Sequence, residues 1–231
     1  MGWDADDQFH EGHLIYTMFS KNQQIVAGLG RQPAEMSEAG IPPMWTSYVN
    51  VDDLDVAAAA FVENGGNLVM PPMDVMEAGR MAYGMDPVGA PIGFWQPKNH
   101  RGADNFNEPG FMTWNELTTR NVREAIDFWT KVMPWTVVEM DMGGTAYQMV
   151  SLGDRLNCGI MAMDETWPED MASHWMVYFR VEDTEAAINR AIELGGDLRV
   201  PAFDTQQGKV AIIADPQGGV FSIIDVPPDQ H

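Results

Sequence analysis

The sequence predicts an α+β fold assembled from repeated β-α-β-β-β units, and three observations carry that prediction. The chain states one turn twice, as DPVGAPIGFWQ at residues 86–96 and DPQGGVFSIID at 215–225. Stretches of helical periodicity are short, and each is followed by three alternating stretches rather than by one strand. Meanders of that kind suit a mixed sheet with its helices on one face, and they disfavour a doubly wound parallel sheet.

Laying the chain against itself extends the match. MWTSYVNVDD at 44–53 falls opposite HWMVYFRVED at 174–183, an offset of 130 residues. AFVENGGNLVMPP at 60–72 meets AIELGGDLRVPAF at 191–203, which aligns Gly65-Gly66 with Gly195-Gly196 and Pro71 with Pro201. Upstream, GHLIYTM at 12–18 pairs with GTAYQMV at 144–150. Two copies of one domain are therefore expected, at 1–97 and 110–227, joined by residues 98–109. That joint lies in QPKNHRGADNFNEPG, a polar stretch rich in Gly, Pro and Asn that reads as a linker.

The second copy gives the plan of a unit. Phe111 to Leu117 alternates as a strand. Asn121, with Glu124 three residues on, is placed to cap a helix reaching about Val132, with Ala125, Phe128, Trp129 and Val132 on one side. Three strands follow at roughly 135–141, 146–152 and 157–163. The order then restarts with a strand at 174–181 and a helix at 184–194 closed by Gly195-Gly196. Strands at 197–203, 208–214 and 219–225 complete it. The first copy opens with MGW where the second has MPW at 133–135, so it is expected to lack a leading strand and helix. Met1 then stands where an internal methionine would be, which suggests a misplaced start or a shortened chain.

Composition narrows the function. A chain of 231 residues with 45% apolar residues buries a real core. No apolar run reaches the length of a membrane span, and MGWDADDQFHEGH lacks the pattern of a secretory signal, so a soluble cytoplasmic protein is expected. With 34 acidic against 13 basic residues and a formal charge of −21, the surface repels phosphate. Nucleic acid and anionic membrane are therefore not expected partners. The single cysteine, Cys158, excludes an internal disulfide and reads as a small core thiol.

The paired units, the Phe128-Trp129 helix ending, the Val181-Glu182-Asp183 helix entry, the following Gly-Gly and the DP-x-G turn together resemble the vicinal oxygen chelate superfamily. That superfamily includes glyoxalase I, extradiol dioxygenases and bleomycin-resistance proteins. Over nearly the whole chain the sequence is similar to tandem glyoxalase-like proteins of the mycobacterial antigen and actinobacterial hydroxylase type, through phrases such as WNEL, SHWMVYF and DPQGGVFSII. The resemblance implies tandem glyoxalase-like domains whose curled mixed sheets form cups with helices outside.

In metal-using relatives, side chains on the first and last strand of each unit hold a divalent ion. The resemblance puts those positions at Trp114, near Gly159, at Met176 and at Ser222, and in the first copy at Gly28, Thr46 and Gly93. None supplies the imidazole or carboxylate such an ion needs, so no cofactor is expected. His10 and His13 form an H-x-x-H read as solvated turn residues, His100 lies in the linker and His231 is terminal.

Strand alternation assigns the faces. Trp114 and Glu116 are expected to face the cup, as are His174, Met176, Tyr178 and Arg180, while Trp175, Val177, Phe179 and Val181 pack under the helices. Ser222 joins the cup from the last strand, and Thr46, Tyr48 and Trp95, beside Gly93, are the counterparts in the first copy. Trp114, Met176, Tyr178, Arg180, Ser222, Thr46, Tyr48 and Trp95 are thus the expected ligand-binding set. Glu116 on an inward face needs a partner, for which His174 or Arg180 is the expectation.

Three functions follow from this reading. The preferred one is a metal-independent protein that binds a small, partly hydrophobic molecule, as the bleomycin-resistance branch does. The second is a metal-free hydroxylase, isomerase or lyase with Glu116 and His174 as acid and base on an oxygenated small molecule. The third is a protein-interaction module with a vestigial cup. Self-association is one way to cover the shortened first domain.

Overall fold

A computed structural model describes residues 1–32, 34–38, 41–142 and 146–227. His231, and the Gly144-Thr145 end of the upstream repeat match, lie outside them. The described residues hold fifteen strands and four helices. In chain order they are β1 (Asp4–His10), β2 (His13–Lys21), β3 (Gln24–Gly30), α1 (Ala34–Glu38), β4 (Tyr48–Asn50), α2 (Leu54–Glu63), β5 (Asn67–Val75), β6 (Gly79–Met85) and β7 (Pro91–Pro97). The second half continues with β8 (Met112–Thr119), α3 (Val122–Val132), β9 (Trp135–Asp141), β10 (Ala146–Leu152), β11 (Arg155–Ala162), β12 (His174–Arg180), α4 (Thr184–Glu193), β13 (Asp197–Asp204), β14 (Lys209–Ala214) and β15 (Val220–Asp225).

These elements gather into two compact units, each drawing on both halves of the chain. One comprises residues 1–45, 102–113 and 177–231, and the other 46–101 and 114–176. In the first unit the strand orders are β1-β2-β3 and β13-β14-β15-β12; in the second they are β4-β7-β6-β5 and β8-β11-β10-β9. Parallel pairs (β4 with β7, β11 with β8, β12 with β15) sit among antiparallel meanders, the mixed α+β arrangement that the pattern predicts. No helix of the described residues is long and apolar enough to cross a membrane.

α2 and α4 start where the sequence supplies a side-chain acceptor, and α3 does not. Asp53 Oδ1 accepts the N–H groups of Asp55 and Val56 at the start of α2, and Asp183 Oδ1 accepts that of Ala186 in α4. Asn121, expected to cap α3, makes no side-chain cap bond; its own N–H instead donates to Thr119 Oγ1 at 3.1 Å. At the other end of α2 and α4, Gly65 and Gly195 take φ of 105° and 88°, the left-handed conformation that closes a helix cheaply only in glycine.

β5 and β13 are both edge strands, and each carries the proline of the repeat. Pro71 and Pro201 fall where the pairing slips register, because a residue without an N–H cannot serve the ladder. β4 is shorter than the repeat predicts, three residues against seven in β12, so Met44 and Thr46 lie outside it.

The twice-stated turn is built identically in both units. Asp86 accepts the N–H of Ala90 on Oδ1 and the indole N–H of Trp129 on Oδ2, while Asp215 accepts Gly219 N–H and the indole of Trp45 in the same way. The core of the second unit holds Leu54, Phe61, Phe94, Leu117, Phe128, Trp129, Trp135, Val150, Ile160 and Trp175. That of the first holds Val177, Phe179, Val181, Ile188, Phe221 and Ile223, with Trp3 and Trp45 packed against it. Trp175, Val177, Phe179 and Val181 thus lie on the core face, as alternation predicts.

Candidate functional site

Core membership sets the strand faces of the second unit. Leu117 on β8, Val150 on β10, and Cys158 and Ile160 on β11 belong to the core beside α3. Alternation then turns Trp114 and Glu116, Tyr147 and Met149, and Gly159 and Met161 onto the opposite face.

Three of these residues form a hydrogen-bonded chain. Trp114 Nε1 donates to Tyr147 Oη at 2.9 Å, and Tyr147 Oη donates to Glu116 Oε2 at 2.6 Å. Glu116 is only 6% exposed and Tyr147 is buried, so the pair is largely dry. The 2.6 Å separation lies at the short end of the range for an O–H···O hydrogen bond.

The phenol takes this place because residue 159 has no side chain. Gly159 lies beside Glu116 in the parallel ladder, while in the antiparallel ladder Tyr147 is paired with Met161, two residues further on. A Cβ added at Gly159 would overlap Tyr147 Oη. The first unit repeats the device: Tyr16 is paired with Gly30, and a Cβ on Gly28 would overlap Tyr16 Oη. Burial raises the Tyr16 phenol above its ordinary value. Tyr48 similarly covers Gly93 with its ring.

Alternation places Trp114 and Glu116 on this face, but the sequence reading does not single out Tyr147. The available signal was the paired placement of Tyr16 with Gly28 and Tyr147 with Gly159 in the two repeats. Glu116 takes a hydrogen bond from Tyr147, a partner that the sequence pattern does not name. His174 lies half-buried on β12, its Nδ1 3.0 Å from the Ala172 carbonyl and its ring tilted against Trp167. Arg180 donates to the carbonyls of Asn107 at 2.6 Å and Val226 at 3.2 Å.

Among the other expected ligand-binding residues, Met176 is buried and Tyr178 half-buried on β12. Ser222 pairs with Tyr178 across β15 and β12; it is fully buried, and its Oγ has no hydrogen-bond partner among the described residues. Thr46 precedes β4, Tyr48 is largely exposed, and the Trp95 indole donates to the His100 carbonyl at 2.9 Å. Two open surface clefts of the second unit, of about 440 and 750 Å³, include none of these residues. His10 and His13 face each other across the β1–β2 turn and are exposed.

The positions that the resemblance implies for a metal carry an indole at Trp114, a bare Cα at Gly159, a thioether at Met176 and a hydroxyl at Ser222. Among the described residues no group of three or more His, Cys, Asp or Glu side chains stands close enough together to hold a metal ion.

Comparison with known proteins shows the family and the fold. The pattern of the Glyoxalase-like domain family matches residues 114–224. The chain is similar to CFP32 of Mycobacterium tuberculosis, a protein whose name proposes a glyoxylase, with 36% identity over 99% of this chain and 87% of the relative. It is also 31% identical to the anthracycline biosynthesis protein DnrV of Streptomyces peucetius, over 97% of this chain and 85% of that one. Among solved structures, the 2,3-dioxygenase LapB of Pseudomonas sp. KL28 superposes with a TM-score of 0.57 at 16% identity, covering 100% of this chain and 87% of LapB. The Mn(II)-bound glyoxalase of Novosphingobium aromaticivorans gives 0.61 at 14% identity, covering 99% and 77%. The fold is therefore that of dioxygenases and glyoxalases, and the chain belongs to the glyoxalase-like family of the vicinal oxygen chelate superfamily.

Proposed function

We propose that this protein works without a metal and binds a small, partly hydrophobic molecule against the face that carries Trp114, Glu116 and Tyr147. The observation that carries the reading is the Tyr147 phenol standing where a side chain at position 159 would stand, hydrogen-bonded to Glu116. Indole, glycine and thioether at Trp114, Gly159 and Met176 supply none of the imidazole, carboxylate or thiolate donors that commonly hold a divalent transition metal. The same face suits an organic ligand, with aromatic and thioether area for affinity and a few polar groups for orientation. A relative named for anthracycline biosynthesis favours a small molecule over a macromolecule as the partner.

A thermal-shift screen of small aromatic and carbonyl compounds, run with and without EDTA, tests the proposal. Binding to the native state raises Tm by mass action, and here the rise is expected to survive the chelator. A rise abolished by EDTA would reverse the reading.

The 2.6 Å Tyr147–Glu116 bond favours a second reading, an enzyme using Glu116 as base on an oxygenated small molecule, with Tyr147 in the place expected for His174. Turnover lost in Glu116→Gln with folding intact would establish it.

A further inference from the structure

We propose that the β5–β6 hairpin is an oxidation site of this protein, at which a peroxide converts the thioethers of Met76 and Met73 to sulfoxides while the fold stays intact. The inference is independent of the ligand reading above and concerns a different sheet of the second unit, β4-β7-β6-β5.

Sulfur is concentrated in this hairpin beyond what packing requires. Residues 67–85 hold five of the 18 methionines, Met70, Met73, Met76, Met81 and Met85. The repeat supplies the comparison. With Pro71 opposite Pro201 and Asp86 opposite Asp215, the same places in the hairpin of β13 and β14 carry Val200, Phe203, Gln206, Val210 and Ala214. Met73 faces Met81 across one ladder, and Phe203 faces Val210 across the other. The chain thus builds the same hairpin once without sulfur, so the pairing calls for apolar volume at 73 and 81 and not for a thioether.

Exposure selects which of the five react. Met76 stands in the turn between β5 and β6 and is 73% exposed, more than any other methionine among the described residues. Met73, on the edge strand β5, is 45% exposed, while Met70 and Met81 are half-buried. Met140 on β9 matches Met73 in exposure and is expected to react at a similar rate. Met133, Met163 and Met176 are 9% exposed or less, and the single cysteine, Cys158, is enclosed in the core.

The step balances with a peroxide as co-reactant. The sulfur lone pair attacks one peroxide oxygen and the O–O bond breaks. That oxygen stays on sulfur as the sulfoxide, and the other leaves as water after the proton shifts to it. Sulfur loses two electrons and the peroxide gains them. A sulfoxide is polar, which disrupts a core but costs little where water already reaches the side chain.

Treatment of the full chain with hydrogen peroxide, followed by peptide mass spectrometry and thermal unfolding, tests the inference. Met76 and Met73 are each expected to take up one oxygen about tenfold faster than Met133, Met163 and Met176, in step with their exposure. Conversion of these two is expected to leave Tm within about 2 °C of the untreated chain. Methionine sulfoxide reductase is expected to restore the original mass. Core methionines oxidised as fast as Met76, or a Tm that drops as Met76 and Met73 are converted, would overturn the inference. A Met73→Phe, Met76→Gln double variant carries the residues of the other hairpin and separates sulfur from packing. It is expected to keep the parent Tm and to take up two oxygens fewer in the fast phase; unchanged fast uptake, or loss of folding, would count against the assignment.

Discussion

The indole nitrogen of Trp129 lies 3.2 Å from Oδ2 of Asp86, and both residues are buried. The bond ties the end of α3 to the turn between β6 and β7, and Trp129 also stacks on Trp135 and meets Phe61, Phe94, Phe128 and Trp175. In the first unit Trp45 makes the same 3.2 Å bond to Asp215 from a loop rather than a helix.

Trp129→Phe removes both core volume and the donor, and it is expected to destabilise the second unit by about 3 kcal/mol. Trp45→Phe, at a half-buried site, is expected to cost about 1 kcal/mol. Urea unfolding monitored by circular dichroism compares the two; equal losses would show that burial does not set the ranking.

Burial raises the Asp86 carboxyl to about 6, against the pull of its bonds from Ala90 and Trp129. A folded value above the unfolded one means that this group's contribution is full below about pH 4 and is lost as pH rises through about 6. The stability of the parent relative to Asp86→Asn is therefore expected to fall across that window, by up to about 3 kcal/mol. Unfolding of both chains measured from pH 4 to 7.5 decides it, and a pH-independent difference would contradict the assignment.

Helix capping gives a contrast among three residues. Asp53→Ala and Asp183→Ala are each expected to cost about 1 kcal/mol, because each aspartate accepts backbone N–H groups at a helix start. Asn121→Ala is expected to cost much less, since its side chain makes no cap bond. Equal losses at all three positions in chemical denaturation would refute the distinction.

Burial pushes the Cys158 thiol up to about 12. With its thiolate suppressed and its sulfur enclosed in the core, Cys158 is expected to stay unreactive toward a disulfide reagent until the chain unfolds. Rapid labelling of the native protein would contradict that placement.

Much of the fold was legible because repetition and alternation are local signals. The helices over 122–132 and 184–193 and the meanders after them fall close to where periodicity put them, and Leu117 and Glu116 lie on the faces that alternation assigns. Partners were less legible than faces. Alternation turns Glu116 inward without saying that Tyr147 reaches it, because that contact depends on the register between β10 and β11 and on the space at Gly159. The Asn121 spacing satisfied the capping pattern, yet the Thr119 hydroxyl takes the Asn121 N–H and the side chain stays unused. Trp45 matched no helical position, so its bond to Asp215 could be read only from the fold.

The proposed metal-free function rests on the Tyr147 phenol, which stands where a side chain at position 159 would stand and donates to Glu116. Elemental analysis by inductively coupled plasma mass spectrometry tests this most directly, on untagged chain expressed with zinc, nickel, manganese and iron in the medium and purified without chelator. Metal content far below one equivalent per chain is expected, unchanged in Tyr147→Phe. Stoichiometric metal that is lost on changing Glu116 would contradict it.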